Sequence, residues 1–287
     1  MGRSDHPPEL PEKIGLIAGN GSFPFLVLDA ARQRGIAVVT LAIKEEAEPS
    51  IEEVADTVHW VALGELRRAV KILKEAGIDR ALMAGQVKHK RVFKILRPDT
   101  LLLKVLSRLR SRNTDAILKA VADVLSGEGV ELMDSTLLLT SVLSTKGPMG
   151  KRRPSAEEKE NVAFGYRMAK AVASLDIGQT VVVKAKSVVA VEAMEGTDEA
   201  VRRAGRVVSE SPGGLAVVKV ARPSQDMRFD VPVVGPRTIE VMSESGVSVL
   251  ALEPGKCLLL EKEAMLKRAD ELKIAVYGVT EREVGDV

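Results

Sequence analysis

The segment from Gln225 to Asp230 (QDMRFD) contains residue types that phosphate chemistry requires. The carboxylates of Asp226 and Asp230 suit Mg²⁺ or Mn²⁺, because hard divalent cations prefer oxygen ligands. Arg228 lies between them in the sequence, and a guanidinium group matches the oxygens of a phosphate. Asp226 and Asp230 are therefore candidate metal ligands, and Gln225 and Arg228 are candidate substrate-binding residues.

A second acidic segment, VEAMEGTD at 191–198, follows an apolar stretch that is typical of a β-strand. In α/β proteins, ligands bind beyond the carboxyl ends of the strands. This places Glu192 and Asp198 among the candidate metal ligands, and Thr197 among the candidate substrate-binding residues. Lys219 is a further candidate for substrate binding, because it is a cation close in sequence to Asp226 and Asp230 and suits phosphate oxygens. Thr197 and Asp198 also suit the N-cap of the following helix, which would explain them without a ligand.

Together the two acidic segments are typical of a site for metal-assisted phosphate cleavage. In such a site the ion polarises phosphorus–oxygen bonds and activates water. A surface network of ion pairs is the alternative that composition leaves open. A further alternative is a non-catalytic protein that binds or senses a nucleotide sugar or a lipid phosphate, in which the same acids would serve as caps and ion pairs.

Gly19, Asn20 and Gly21 stand between the first predicted strand and the first predicted helix. Backbone N–H groups at such a helix start bind phosphate well, so all three are candidate substrate-binding residues. The dinucleotide-binding fingerprint requires a third glycine for close packing of the helix on the strand, and this chain has Pro24 there. A phosphate-binding Walker loop requires a lysine, and none follows Gly21. The loop therefore indicates a phosphate or sugar contact, or a plain tight turn.

The elements that must position these residues alternate between strand and helix signals. Such alternation predicts a parallel sheet with helices on both faces, and we expect a Rossmann-like α/β domain over residues 13–145. Residues 146–155 combine glycine, proline and basic residues, and are a candidate linker. Residues 156–287 are predicted to form a catalytic α/β domain with a mixed sheet, and residues 1–12 a flexible N-terminus.

The composition is that of a globular chain. Hydrophobic residues make up 45% and charged residues 29%, which excludes wholesale disorder. The net charge of +2 indicates no particular partner. The single cysteine, Cys257, excludes an intrachain disulfide, and its apolar neighbours favour a buried, inert thiol in a reducing compartment. No window reaches the ~18 apolar residues of a membrane span, and no signal peptide is apparent, so we expect a cytoplasmic protein.

Residues 88–112 contain nine lysines and arginines, interleaved with apolar residues, and only one acid. This pattern suits contact with an anionic lipid surface. A core-facing helix with a solvated basic face explains it equally well. RNA binding is a third alternative, but Phe93 is the only aromatic residue on which a base could stack. We therefore expect no nucleic-acid partner.

Five segments run in order along nearly the whole chain: GLIAGNGSFP (15–24), AGQV (84–87), DIGQ (176–179), VVAVEAMEGTDEA (188–200) and PSQDMRFDVPVVG (223–235). In these segments the chain resembles the UDP-2,3-diacylglucosamine pyrophosphatases of the LpxI type, which act in lipid A biosynthesis. The resemblance implies hydrolysis of this lipid-linked nucleotide sugar to UMP and 2,3-diacylglucosamine 1-phosphate, with Mg²⁺ or Mn²⁺. It also implies a cytoplasmic enzyme in transient contact with the inner membrane surface. The oligomeric state stays open, a homodimer included.

The resemblance also indicates one essential aspartate, in a D-[LV]-P step that falls on Asp230 of this chain. Its implied role is metal binding or orientation of the attacking water. The chain departs from the family in one place, where RNTD at 112–115 replaces a Gly-Asp-Asp step and only Asp115 remains. We assign no role to the acid that is missing.

Overall fold

The computed structural model forms two compact units. The first unit contains Met1–Leu139 together with Met227–Asp230, and the second contains Thr140–Asp226 and Val231–Val287. The first unit has a five-stranded sheet, and the second has a six-stranded sheet and a separate two-stranded sheet. The residues that the structure describes are 10–87, 98–109, 114–211, 213–223 and 225–285.

The first unit is built on a parallel sheet. Its five strands pair in the order β3-β2-β1-β4-β5, all in parallel, which confirms the predicted sheet and its intervening helices. The order reverses between β1 and β4, and ligands of open α/β sheets bind at the carboxyl ends of such neighbours. In chain order the elements are β1 (Lys13–Ala18), α1 (Phe23–Arg32), β2 (Ala37–Ile43), α2 (Ile51–Val54), β3 (Thr57–Val61), α3 (Leu66–Glu75), β4 (Arg80–Ala84), α4 (Thr100–Arg108), α5 (Thr114–Gly127) and β5 (Glu131–Leu132).

The hydrophobic core of the first unit follows from the alternation of side chains along β2. Val39, Leu41 and Ile43 point to one face of the sheet, as every second residue of a strand must. They share a buried cluster with Leu73 of α3 and Leu125 of α5. These helices therefore cover one face of the sheet and leave the carboxyl ends of its strands for the loops that carry the candidate residues.

The second unit is built on a mixed sheet with the strand order β6-β13-β11-β9-β7-β8. The strands β9, β11 and β13 are parallel, whereas β7 is antiparallel to β9 and β8, and β6 to β13. The prediction of a mixed sheet is confirmed. In chain order the elements are β6 (Gly147–Pro148), α6 (Ala156–Ser174), β7 (Thr180–Lys184), β8 (Ser187–Val191), α7 (Thr197–Val207), β9 (Leu215–Lys219), β10 (Val233–Val234), α8 (Pro236–Glu244), β11 (Val247–Leu252), β12 (Leu258–Leu259), α9 (Lys262–Glu271), β13 (Ala275–Gly278) and α10 (Glu281–Val284).

Helix α6 illustrates how the local sequence sets an element of this unit. Ser155 and Glu158 form a capping box, in which each side chain accepts a hydrogen bond from the backbone N–H of the other residue. The helical period then brings one apolar face onto the sheet: Val162, Tyr166, Ala169 and Ala173 are all buried in one cluster. Helices α7, α8 and α9 supply a second cluster with the alternate residues of the same strands.

The boundaries between the units differ from the predicted domains in three places. Residues 140–145, predicted within the N-terminal domain 13–145, belong to the second unit. Residues 146–155, the candidate linker, belong to the second unit, and Gly147–Pro148 pairs with β13 as an edge strand. Met227–Asp230, predicted within the C-terminal domain 156–287, belongs to the first unit. Backbone hydrogen bonds hold much of the last two segments. Such bonds produce no apolar period in the sequence, so the sequence does not predict where these two segments belong.

The basic stretch 88–112 is described only in part. Asp99 caps α4 through the backbone N–H groups of its first turn, and Leu102 and Val105 are buried in the core of the first unit. This part therefore fits a core-facing helix. The prediction of lipid contact rests largely on positions that lie outside the described residues, 88–97 and 110–113. No helix within the described ranges is both long enough and apolar enough to cross a membrane.

Cys257 is only 2% exposed, as its apolar neighbours predict. Burial raises the pKa of its thiol to about 12, and the nearby Lys219 opposes this shift only weakly. Because the thiolate is the reactive form, we expect the native protein to resist an aromatic disulfide reagent at mildly alkaline pH, while the denatured chain reacts fully. Release of the reagent's thiol chromophore measures this, and rapid release from folded protein would contradict it.

Candidate functional site

The loop Gly19–Gly21 lies at the carboxyl end of β1 and pairs with the loop that follows β4. Asn20 and Gln86 exchange two backbone hydrogen bonds of 2.9 Å each. A Cβ atom on Gly19 would lie 2.8 Å from the carbonyl oxygen of Gln86, so this close approach requires glycine. The side chain of Asn20 donates to the carbonyl oxygen of Glu46 at 3.1 Å. The three predicted substrate-binding residues thus form a fixed turn at the reversal of the strand order.

Asp230 stands at the same edge of the first sheet. The N–H of Ser135 donates to the carbonyl oxygen of Met227 at 3.0 Å. The Ser135 hydroxyl lies 2.5 Å from the carbonyl oxygens of Met83, in β4, and of Arg228, and its single proton serves one of them at a time. Phe229 packs against the core of the first unit. The structure therefore brings Asp230 and the glycine loop to one sheet edge, which the sequence did not predict.

A group of buried polar side chains lies at the carboxyl edge of the parallel strands in the second sheet. We name Thr180, Glu192 and Lys219, which are buried, together with the partly buried Thr197, the Lys219 cluster. The Lys219 Nζ donates to Thr197 Oγ1 at 2.8 Å and to Thr180 Oγ1 at 3.4 Å, and it lies 3.9 Å from Glu192 Oε2. The Thr197 hydroxyl donates to Glu192 Oε1 at 2.7 Å. Three of the predicted site residues thus meet in one network.

Burial makes this cluster costly for the folded protein. Lys219 is 5% exposed and Glu192 8%, and both charges have lost most of their hydration. The attraction within a buried pair often fails to offset that loss. In addition, Glu192 Oε2 is buried without a hydrogen-bond partner among the described residues. Buried charges and unpaired polar atoms, which lower the stability of the folded protein, are expected at functional sites.

Gly178 fixes the backbone that carries Glu192. A Cβ atom at position 178 would lie 1.9 Å from the carbonyl oxygen of Glu192. The N–H of Glu192 in turn donates to the carbonyl oxygen of Thr180 at 2.9 Å. Gln179, between them, has a buried Oε1 atom without a hydrogen-bond partner in the described part of the chain. The residue types of Gly178, Gln179 and Thr180 do not by themselves predict a role in the site, and the one local signal is a glycine two residues before a buried strand.

A second ion pair fixes the chain just after β9. Lys170 Nζ lies 3.3 Å from Glu253 Oε2, and the same carboxylate oxygen accepts a hydrogen bond of 2.9 Å from the N–H of Ala221. No local sequence pattern predicts the contacts of Lys170, Ala221 and Glu253, because these residues are far apart in the sequence.

Burial, with the neighbouring Glu253 and Glu281 carboxylates, raises the pKa of Tyr166 to about 12.

The remaining predicted residues are placed as follows. The Asp198 carboxylate lies 3.6 Å from Arg237 Nε in an ion pair. The Gln225 side chain accepts a hydrogen bond of 3.0 Å from the N–H of Arg222. The Arg228 guanidinium lies 5.7 Å from the centre of the Phe229 ring. Gln225 and Arg228 thus both take part in local contacts of the segment that contains Asp226 and Asp230.

The carboxylates fit a divalent cation unequally. Within the described ranges, no three His, Cys, Asp or Glu side chains are grouped as a metal site. Glu192 does not fit its predicted role as a ligand, because the Lys219 ammonium 3.9 Å away would repel a dication. Asp198, beside Arg237, fits poorly for the same reason. Asp226 and Asp230 supply the oxygen ligands that Mg²⁺ takes, since this ion needs one or two carboxylates when phosphate oxygens and water complete its shell.

The solved structures that match this chain are only distantly similar to it. A biotin carboxylase domain of the 2-oxoglutarate carboxylase from Hydrogenobacter thermophilus is 14% identical, with 70% of this chain and 42% of that chain covered and a TM-score of 0.27. The biotin carboxylase subunit of a pyruvate carboxylase is also 14% identical over 70% of this chain and 42% of its own, with a TM-score of 0.26. Similarity at this level establishes neither fold nor function.

Two family models, by contrast, match in sequence. The LpxI N-terminal domain matches residues 13–142 and the LpxI C-terminal domain matches residues 145–277. A protein of Caulobacter vibrioides, the UDP-2,3-diacylglucosamine pyrophosphatase LpxI, is 32% identical over 281 residues, which cover 94% of this chain and 99% of that protein. The chain therefore belongs to the LpxI family.

Proposed function

We propose that this chain hydrolyses the pyrophosphate bond of UDP-2,3-diacylglucosamine to UMP and 2,3-diacylglucosamine 1-phosphate, a step of lipid A biosynthesis. The observation that carries the proposal is the match to the Caulobacter protein, whose name states this substrate and this class of reaction. That match extends over 94% of the chain, so it includes the glycine loop, Asp230 and the Lys219 cluster together.

The proposed cofactor is Mg²⁺ or Mn²⁺, for which Asp230 is the first candidate ligand and Asp226 a further one. When bound, such an ion polarises the phosphorus–oxygen bonds and makes water a better nucleophile. Asp230 is suited to this role because the two residues before it are held: Ser135 bonds to the carbonyl oxygen of Arg228, and Phe229 packs against the core of the first unit. A carboxylate on a fixed turn loses little conformational freedom when it binds an ion or orients a water molecule.

The substrate-binding residues of the proposal are neutral or positively charged, as a diphosphate requires. Gly21 offers a backbone N–H group at the start of α1. The N–H groups of Gly19 and Asn20 already bond to the carbonyl oxygens of Ala84 and Gln86, so these two residues would contact the substrate as the turn that shapes the site. Lys219 and Thr197 offer an ammonium group and a hydroxyl, and Arg228 and Gln225 a guanidinium group and an amide. Their shared role is to bind the oxygens of the phosphates and sugars and to offset negative charge during bond cleavage.

The two acyl chains of this substrate imply a further part of the proposal. A diacylated nucleotide sugar resides in a bilayer, so the enzyme must take it from a membrane surface. We therefore place the protein in the cytoplasm, in transient contact with the inner membrane. The interleaved basic and apolar residues at 88–112 suit that contact, because such segments bind anionic lipid.

The test of this proposal is a product assay with purified protein and UDP-2,3-diacylglucosamine in mixed micelles. We expect UMP and 2,3-diacylglucosamine 1-phosphate in equal amounts when Mn²⁺ or Mg²⁺ is present. EDTA should abolish their release, and an excess of Mn²⁺ should restore it, because the ion activates water. Tight substrate binding without turnover under any divalent ion would instead favour the non-catalytic alternative. Full activity in EDTA would remove the metal from the proposal.

A further inference from the structure

We infer that Glu192 and Thr180 are positioning residues, which hold the ammonium group of Lys219 so that it binds a phosphate oxygen of the substrate. Glu192 then acts through Lys219 and does not ligate the metal. The inference rests on the proposed function, which it deepens by assigning the Lys219 cluster of the second unit to recognition of the diphosphate.

The hydrogen bonds of the Lys219 cluster run from Lys219 to Thr197 and from Thr197 to Glu192. The single proton of the Thr197 hydroxyl goes to Glu192 Oε1, so its oxygen is free to accept the bond of 2.8 Å from Lys219 Nζ. Glu192 thereby polarises Thr197, and Thr197 orients Lys219. Such a chain of bonds fixes the ammonium group more firmly than one contact would, because the bonds of a network strengthen one another.

The third N–H of the Lys219 ammonium group is available to a ligand. An ammonium has three donors, and two of them meet the hydroxyls of Thr197 and Thr180. Glu192 Oε2, at 3.9 Å, is beyond hydrogen-bond distance. The third donor therefore has no acceptor within the described residues, and a phosphate oxygen has the charge and the size to supply one.

Thr180 lies beside Lys219 on the sheet. Thr180 begins β7 and pairs directly with Lys219, the last residue of β9. This ladder pairing places the Thr180 hydroxyl beside the lysine side chain at the carboxyl edge of the parallel strands, where ligands of α/β sheets bind. Thr180 is fully buried, which holds its hydroxyl in place for this contact.

The experiment compares Glu192→Gln, Lys219→Met and the double variant in the UMP-release assay, with rates per folded molecule. We expect each single variant to lower kcat/KM at least about 30-fold, since truncating a buried charge pair is costly. The double variant should match Lys219→Met within about 3-fold, because a residue that acts through another adds no loss of its own. Its two neutral side chains also leave no unpaired buried charge.

Two further measurements separate positioning from other roles. The Mn²⁺ concentration for half-maximal activity should stay within about 3-fold of the wild type in Glu192→Gln, because Glu192 does not touch the ion. Thr180→Val should lower kcat/KM about 10-fold, since it removes a hydrogen bond to a charged group, and Thr180→Ser should restore it. A merely structural role would move the unfolding temperature and leave kcat/KM per folded molecule unchanged.

The matched control is Glu158→Gln. Glu158 pairs with Arg152 at 2.7 Å in the same unit, and its side chain is only 10% exposed, like that of Glu192. This variant should lower the unfolding temperature and leave kcat/KM unchanged, because it also removes a buried ionic partner but lies away from the Lys219 cluster.

Three results decide the inference. A tenfold rise in the Mn²⁺ requirement of Glu192→Gln, with activity restored at high Mn²⁺, would make Glu192 a metal ligand. A double variant whose loss equals the product of the single losses would mean that Glu192 acts independently of Lys219. If the wild-type protein releases no UMP, the proposed function fails separately. Calorimetric binding of UDP-2,3-diacylglucosamine then tests the same variants, and equal affinities would overturn the positioning role.

Discussion

Replacing Asp230 with alanine is expected to lower UMP release at least about 1,000-fold at saturating Mn²⁺. The variant removes the carboxylate that we assign to the ion and to the attacking water, while the backbone of Met227 and Arg228 keeps its bonds to Ser135. Asp230→Asn should be almost as inactive, because it keeps the shape and loses the charge. The measurement is kcat/KM from initial rates of UMP release, with circular dichroism to verify folding.

The control for this prediction is Asp99→Ala, another aspartate of the first unit. Asp99 caps α4 by accepting hydrogen bonds from the N–H groups of Leu101 and Leu102, at 3.0 and 2.9 Å. Its loss should cost about 1 kcal/mol of folding free energy and leave kcat/KM unchanged. Asp230→Ala with activity within tenfold of the wild type would remove Asp230 from the mechanism.

The longer elements could be predicted from the sequence because their apolar period and their end signals agree. The apolar pattern of the sequence predicts a helix over 156–174 and a strand over 247–252, and helix α6 (Ala156–Ser174) and strand β11 (Val247–Leu252) have these bounds. The elements that escaped prediction are two-residue strands and one-turn helices. Two residues cannot show a period, and these elements form because neighbouring backbone groups find each other in the folded chain.

The candidate site could be predicted as a set of residue types, whereas its arrangement could not. Glu192, Thr197 and Lys219 were all candidates, but their meeting depends on the antiparallel entry of β7 beside β9, which brings Thr180 next to Lys219. Long-range pairing of this kind is set by the whole sheet. The placement of Asp230 depends on Phe229, which packs against the core of the first unit, and on the bonds of Ser135 to the backbone of Met227 and Arg228. Neither interaction leaves a local pattern.

The same dependence on folded geometry predicts a large effect for Gly178→Ala. The added Cβ atom would lie 1.9 Å from the carbonyl oxygen of Glu192, far inside the 3.0 Å that Cβ contacts require. One of the two backbone segments must move by about 1 Å, and misplacement on this scale can lower a rate about 100-fold. We expect that loss in kcat/KM per folded molecule, in addition to a lower unfolding temperature.

Gly278→Ala is the matched control, because its Cβ atom would lie 1.8 Å from the carbonyl oxygen of Thr145. The clash is equally severe, but it affects the pairing of β13 with β6 and not the backbone of Glu192. This variant should therefore lose stability and retain kcat/KM per folded molecule. If Gly178→Ala also retained kcat/KM, the backbone position of Glu192 would not control the Lys219 cluster. A loss confined to Gly178→Ala would link the backbone of Glu192 to the reaction.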